Sequence, residues 1–126
     1  MLHKKREKGQ ELVEYALILP IMMLILMSIL DLGRAVYYYS AIHNSAREGV
    51  RYGIINPDDP AGIEAVVRNK AVALQPTDLT VVVSLPDEDT VEVTVTYQFV
   101  AITPIAGALL GNNTITLGSS AAMRIE

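Results

Sequence analysis

One stretch of this chain is too apolar to be left in water and too long for an ordinary strand. Residues 15–30 contain no charged side chain, and the apolar segment, defined here as Leu12–Leu30, covers nineteen residues. At the α-helical rise of about 1.5 Å per residue it would extend roughly 28 Å, which is close to the hydrocarbon thickness of a bilayer. The sequence therefore predicts a membrane-spanning helix near the N-terminus.

The charges on the two sides of this segment are unequal. The net charge is −4, to which residues 1–9 contribute +3 and the rest of the chain −7. Short basic segments stay on the cytoplasmic side, so this bias places residues 1–9 in the cytoplasm and residues 31–126 across the membrane. Nucleic-acid binding requires a basic face on the folded part, and the acidic body argues against it. The competing interpretation is a cleaved secretory signal, whose apolar core is usually about 7–15 residues and precedes small residues.

Two residues of the apolar segment are unusual for a membrane helix. Glu14 is a carboxylate, which costs about 2.5–3.5 kcal/mol at the bilayer centre and less at the interface. It either faces water at the interface or pairs with a cation on a partner. Pro20 removes one backbone donor, which predicts a kink or a locally melted turn. That proline is either simply tolerated or provides a flexible point that helps the helix leave the bilayer.

The residues around Glu14 form a recognisable motif. A basic leader ends at Gly9, four residues follow, and then Glu14 and Tyr15 open the hydrophobic helix. This pattern resembles the processing site of Flp-type pilins and of the TadE-like pseudopilins of tight-adherence systems, which are relatives of type IV pilins. The resemblance implies that a membrane-embedded prepilin peptidase cuts between Gly9 and Gln10. It also implies that Glu14 and Tyr15 serve recognition and assembly.

The resemblance covers residues 9–53, because the segments 31–34 and 45–53 also look like the TadE-like pattern. It implies several partners, namely identical or related pilin subunits bound through the N-terminal helix, the peptidase, and an assembly platform in the membrane. The implied location is the cytoplasmic membrane before assembly and an extracellular filament or the cell surface afterwards. Flp major pilins are usually short, so the substantial C-terminal part is more like the pseudopilin branch.

The rest of the chain predicts a small α+β head. A helical pattern from about Glu11 to Tyr52 places mostly small apolar residues on one face, from Ala35 through Tyr39 to Gly53. Residues 60–74 predict a second helix, after an N-cap at Asp59. Residues 79–85, 91–99 and 115–125 predict three antiparallel strands, with a bulge at Gly118 and a connector over 103–113. We divide the chain into a leader (1–9), a transmembrane and assembly helix (10–30), its continuation (31–53) and the extracytoplasmic head (54–126).

The sequence offers no residue set suited to catalysis, and we expect no enzyme, cofactor or metal site. Cysteine is absent, which excludes disulfides, thiolate metal ligands and a cysteine nucleophile. The acidic clusters 58–59 and 87–89 are bounded by proline and lack the spacing of a calcium loop, so they predict solvated turns. His43 lies near two serines without a suitably spaced carboxylate, which favours a surface or packed histidine. The tyrosines 37–39 predict an aromatic belt at the membrane interface, which is favoured over a ligand-binding aromatic cluster.

These observations predict a pilin-like structural subunit, either a pilin or a pseudopilin, that is processed by a prepilin peptidase and assembled into a tight-adherence or type IV-like filament. In that hypothesis Glu14 sets the register by pairing with the amino group of Gln10 on a neighbouring subunit. The alternative is an uncleaved single-pass module whose head binds partners in the cell envelope.

Overall fold

The first helix dominates the molecule. The computed structural model describes residues 4–125, with side chains from residue 8 onward, so part of the predicted leader lies outside the described residues. Helix α1 (Lys4–Gly53) is continuous over 50 residues, or about 75 Å. It begins earlier than the predicted Glu11, because the lysine, arginine and glutamate residues before it are good helix formers.

The head contains two short helices and one sheet. Helix α2 spans Pro60–Lys70 and α3 spans Pro104–Leu110. Strands β1 (Leu79–Asp87), β2 (Thr90–Val100) and β3 (Thr114–Arg124) form an antiparallel sheet with β2 in the centre. The predicted α+β architecture, with a long helix, a short second helix and a three-stranded sheet, is confirmed.

The core lies between the second half of α1, helix α2 and one face of the sheet. Alternate residues of β2 from Val91 to Phe99 are buried, as its strict alternation predicted. They pack against a stripe of α1 that includes Ile42, Ala46 and Val50, each with no exposed surface. The predicted small-residue face is therefore the face that contacts the head, except that Tyr39 is exposed.

Two glycines allow α1 to approach α2 and the sheet closely. A Cβ added at Gly49 would collide with a methyl group of Val67, and one added at Gly53 would lie 2.8 Å from a methyl group of Val91. Two carbon atoms that are not bonded cannot approach each other as closely as either of these contacts would require. These two positions therefore require glycine for packing, and not for an unusual backbone conformation.

Two local predictions were wrong. Helix α2 ends at Lys70 instead of residue 74, because the chain turns at Ala71, whose amide still donates to Val67. Strand β3 has a regular register through Gly118, which pairs with Thr96, so the predicted bulge is absent. The bulge was unnecessary because Ser119 occupies the inward position between Leu117 and Ala121.

The predicted connector over 103–113 contains α3, which was not predicted from the sequence. Pro104 stands at the start of this helix, and Gly111 ends it with φ of 78°. Proline at the first helical position and glycine after the last one are ordinary helix boundaries. Pro86 lies in the irregular stretch of edge strand β1 between Ser84 and Asp87, where the missing amide costs no ladder hydrogen bond.

Candidate processing and assembly segment

The predicted processing site lies on an open surface of α1. Gly9 and Gln10 are exposed, and a Cβ added at Gly9 would have no neighbour within 4 Å. Glycine weakens a helix by about 1 kcal/mol relative to alanine. The peptide bond after Gly9 is therefore sterically accessible and lies at a weak point of the helix.

Glu14 and Tyr15 lie on the same exposed part of the helix. Tyr15 is 74% exposed. The Glu14 carboxylate accepts a long hydrogen bond of 3.4 Å from the side-chain amide of Gln10, one turn earlier. Among the described residues no cation forms an ion pair with Glu14. The structure thus brings Gln10 and Glu14 together within one chain and leaves the carboxylate open to a partner.

The apolar segment has almost no cover from the rest of the protein. Only 6% of its most hydrophobic 18-residue window is buried, which distinguishes this helix from the core helix of a soluble protein. Leu24 and Met27 are half-buried, and the other large side chains are exposed. Helix α1 is the one described helix long and apolar enough to cross a membrane, judged by length and composition.

The helix continues without interruption through Pro20. The predicted local melting at this position is therefore absent, although the missing amide still leaves one carbonyl without its helical donor. Whether the axis bends at Pro20 stays a prediction.

The junction between the apolar segment and the head is built around Asp31. This carboxylate is buried, with 8% of the residue exposed. It accepts hydrogen bonds from the backbone amide of Ile102 at 3.0 Å and from both the amide and the hydroxyl of Thr103, at 2.7 and 2.6 Å. Arg34 forms an ion pair with it at 3.1 Å. One side chain thereby ties α1 to the chain just before α3.

The surroundings of Asp31 favour its charged form. Burial alone would disfavour ionisation, but the Thr103 hydroxyl, the two amides and the Arg34 guanidinium together hold the pKa of the carboxyl below its usual value. From the sequence, Asp31 was expected to follow the apolar run and to belong to the TadE-like segment 31–34, and no contact with the head was predicted. Its helical spacing to Ala35, Tyr38 and Ile42 was the signal that placed it on the face toward the head.

An aromatic cluster lies directly above this junction. The Arg34 guanidinium lies 5.1 Å from the ring centre of Phe99 and 5.8 Å from that of Tyr38. The Tyr38 ring makes edge contacts with Tyr97 and Phe99. The prediction of an interfacial belt is thus wrong for Tyr38, which packs on the core, whereas Tyr37 and Tyr39 are exposed.

The remaining polar candidates have structural contacts. Asp59 caps α2 by accepting from the Gly62 amide at 3.0 Å, and it also accepts from the Tyr52 hydroxyl at 3.1 Å. Nδ1 of His43 lies 3.0 Å from the hydroxyl of Ser119. Among the side chains that the structure describes, those of residues 8–125, no group of three or more acidic or histidine residues is arranged to hold a metal ion.

The N-terminal part of the chain matches a known protein family. Residues 9–51 match the family model described as TadE-like protein, about a third of the chain. No curated protein and no solved structure matches significantly. The resemblance that the motif from Gly9 to Tyr15 indicated is therefore confirmed over this segment, which includes Asp31 but ends before Thr103.

Proposed function

We propose, from the TadE-like character of residues 9–51, that this chain is a pilin-like structural subunit of a tight-adherence pilus. The observation that carries the proposal is the combination of two features on one helix. The motif from Gly9 to Tyr15 is exposed, and it leads directly into an apolar segment that has no cover of its own. Such a helix needs lipid before assembly and other helices afterwards.

Processing supplies the charge that the assembly uses. A prepilin peptidase cuts after Gly9 while the apolar segment holds the precursor in the cytoplasmic membrane, with the leader inside. The cut leaves an amino group on Gln10. In a filament this amine pairs with Glu14 of a neighbouring subunit. A carboxylate buried among apolar helices without a partner costs several kcal/mol, so addition in the wrong register is disfavoured.

Assembly exchanges one apolar environment for another. The apolar segment moves from lipid into a bundle of identical or related helices, so little hydrophobic energy opposes the transfer. The unpaired carbonyl near Pro20 lets the helix adjust its axis as it enters the bundle. An assembly platform in the membrane drives this step, and the head is carried to the cell surface. The role is structural, in keeping with the family, and requires no catalysis.

The registration role of Glu14 can be tested against a matched acid on the same helix. Glu11 and Glu14 are both exposed and lie one turn apart. Glu14→Ala is expected to abolish incorporation into sheared surface filaments, because the charge pair is lost, while the amount of protein in the membrane stays unchanged. Glu11→Ala is expected to leave incorporation near the wild-type level.

The same pair of variants distinguishes the alternative function. If Glu14→Ala leaves both surface display and the function of the protein unchanged, the chain acts as an uncleaved, membrane-anchored binding module of the envelope. Within the filament hypothesis, the abundance of this chain in purified filaments separates a major pilin from a minor pseudopilin.

A further inference from the structure

Helix α3 lies beside the end of the apolar segment of α1. A groove lined by Ser28 and Leu32 of α1 on one side has Ile105 and Leu109 of α3 on the other. A second groove joins Ile105 to the α1 residues Ile21, Ile25 and Ile29. Ile25 precedes Leu30 by five residues, or about 7.5 Å along the helix axis. Part of α3 is therefore level with the last turns of the apolar segment.

The part of the head formed by α3 and the adjoining ends of β2 and β3 is apolar and carries no charge. Residues 93–123 contain no acidic, basic or histidine side chain. Leu109 is 79% exposed, Leu110 60% and Ile102 57%. The charged turns around residues 58–59 and 87–89 lie at the opposite end, where β2 begins beside Arg124 and α1 ends. Helix α3 thus differs strongly from these charged turns in its affinity for water.

From this geometry we propose that α3 is a membrane foot, which inserts into the lipid interface beside α1 while the chain is anchored. The occupant of its exposed apolar face is the bilayer itself, at the boundary between headgroups and acyl chains. Lipid is the occupant by continuity, because a lipid layer that covers Ile25 and Ile29 also reaches Ile105. The inference rests on the membrane anchoring contained in the proposed function.

The polar groups of the foot fit such a position. Polar backbone groups are costly in a low-dielectric layer unless they are hydrogen-bonded. The Asp31 carboxylate satisfies the amides of Ile102 and Thr103, and its own charge is paired with Arg34. Asn112 and Asn113, just after α3, place amide side chains at the depth of the headgroups. Interfacial helices bury their apolar face about 5–10 Å deep, which agrees with the level of Ile105.

Tryptophan fluorescence can measure this insertion, because the chain contains no native tryptophan. The full-length, uncleaved protein is placed in lipid nanodiscs at one chain per disc, with and without brominated lipids as quenchers. Three single variants are compared: Leu109→Trp on the foot, Leu26→Trp in the apolar segment, and Ile55→Trp at the opposite end of the head. All three native side chains are at least half exposed, so the fold tolerates the exchange.

The expected result is a blue-shifted emission and a clear loss of intensity in brominated lipid at positions 109 and 26, with neither effect at position 55. Quenching at position 26 without quenching at position 109 would contradict the insertion of α3 into lipid, but would agree with membrane anchoring by α1. Absence of quenching at 26 would overturn the anchoring, and the foot with it. A blue shift at 109 that occurs only with several chains per disc, without lipid quenching, would replace lipid by a second copy and would also overturn the proposal.

Discussion

At the scale of single residues, Asp31 is the side chain that connects the two halves of the molecule. Its carboxylate joins α1 to residues more than 70 positions later in the chain. Hydrogen bonds to a charged group contribute about 1.5–3 kcal/mol when they are protected from water. Asp31 therefore fixes the start of α3 at the level where the apolar segment ends.

The same carboxylate predicts a pH dependence of stability. Because the pKa of Asp31 is lower in the folded protein than in the unfolded chain, its contribution is complete above the unfolded value and is lost as pH falls below about 4. Asp31→Asn is expected to destabilise the head by about 2 kcal/mol at pH 7 and to flatten the acid side of the stability profile.

This expectation is measured by thermal unfolding of the full chain in detergent between pH 3 and 7, followed by circular dichroism, with Asp58→Asn as the control. Asp58 is exposed in a turn, and its replacement should leave the profile unchanged. An Asp31→Asn profile parallel to that of the wild type would contradict the assigned role.

At the scale of elements, the second half of α1 depends on glycine where it contacts α2. Gly49→Ala would force Val67 or the helix axis to move, and such overpacking costs about 1–3 kcal/mol. Gly33→Ala is the matched control in the same helix. It meets no atom within 4 Å, so the higher helix propensity of alanine should make the change neutral or slightly stabilising.

Both variants are compared by thermal unfolding of the full chain in detergent. A lower midpoint for Gly49→Ala alone is the expected result. Equal midpoints for the two variants would mean that the close contact between α1 and α2 does not limit stability.

The elements also differ in how far local sequence determined them. Strand β2 was predictable because apolar and polar residues alternate over five buried positions. Helix α1 was predictable because its helical pattern of apolar residues is long. Helix α3 was missed although Pro104 and Gly111 mark its ends, because a short helix with an exposed apolar face has no amphipathic period. The position of Asp31 in the structure depends on its hydrogen bonds with Thr103. No local sequence pattern predicts that these two residues are in contact.

At the scale of the whole molecule, the chain consists of a head, whose core includes the second half of α1, and an apolar segment that is largely uncovered. The motif at Gly9–Tyr15 was readable from sequence because it is contiguous, and the match over residues 9–51 supports that reading. The apolar surface around α3 was not readable from sequence, because it is assembled from α1, α3 and the ends of two strands. The lack of charge in α3 becomes meaningful only when the fold places this helix beside the apolar segment.

The most direct test of the central claim is the N-terminus of the protein recovered from sheared filaments, determined by mass spectrometry of cells that contain an active prepilin peptidase. The account predicts a mature chain that begins at Gln10, and accumulation of the longer precursor in the membrane when the peptidase is removed. Filaments built from chains that retain residues before Gln10 would contradict it.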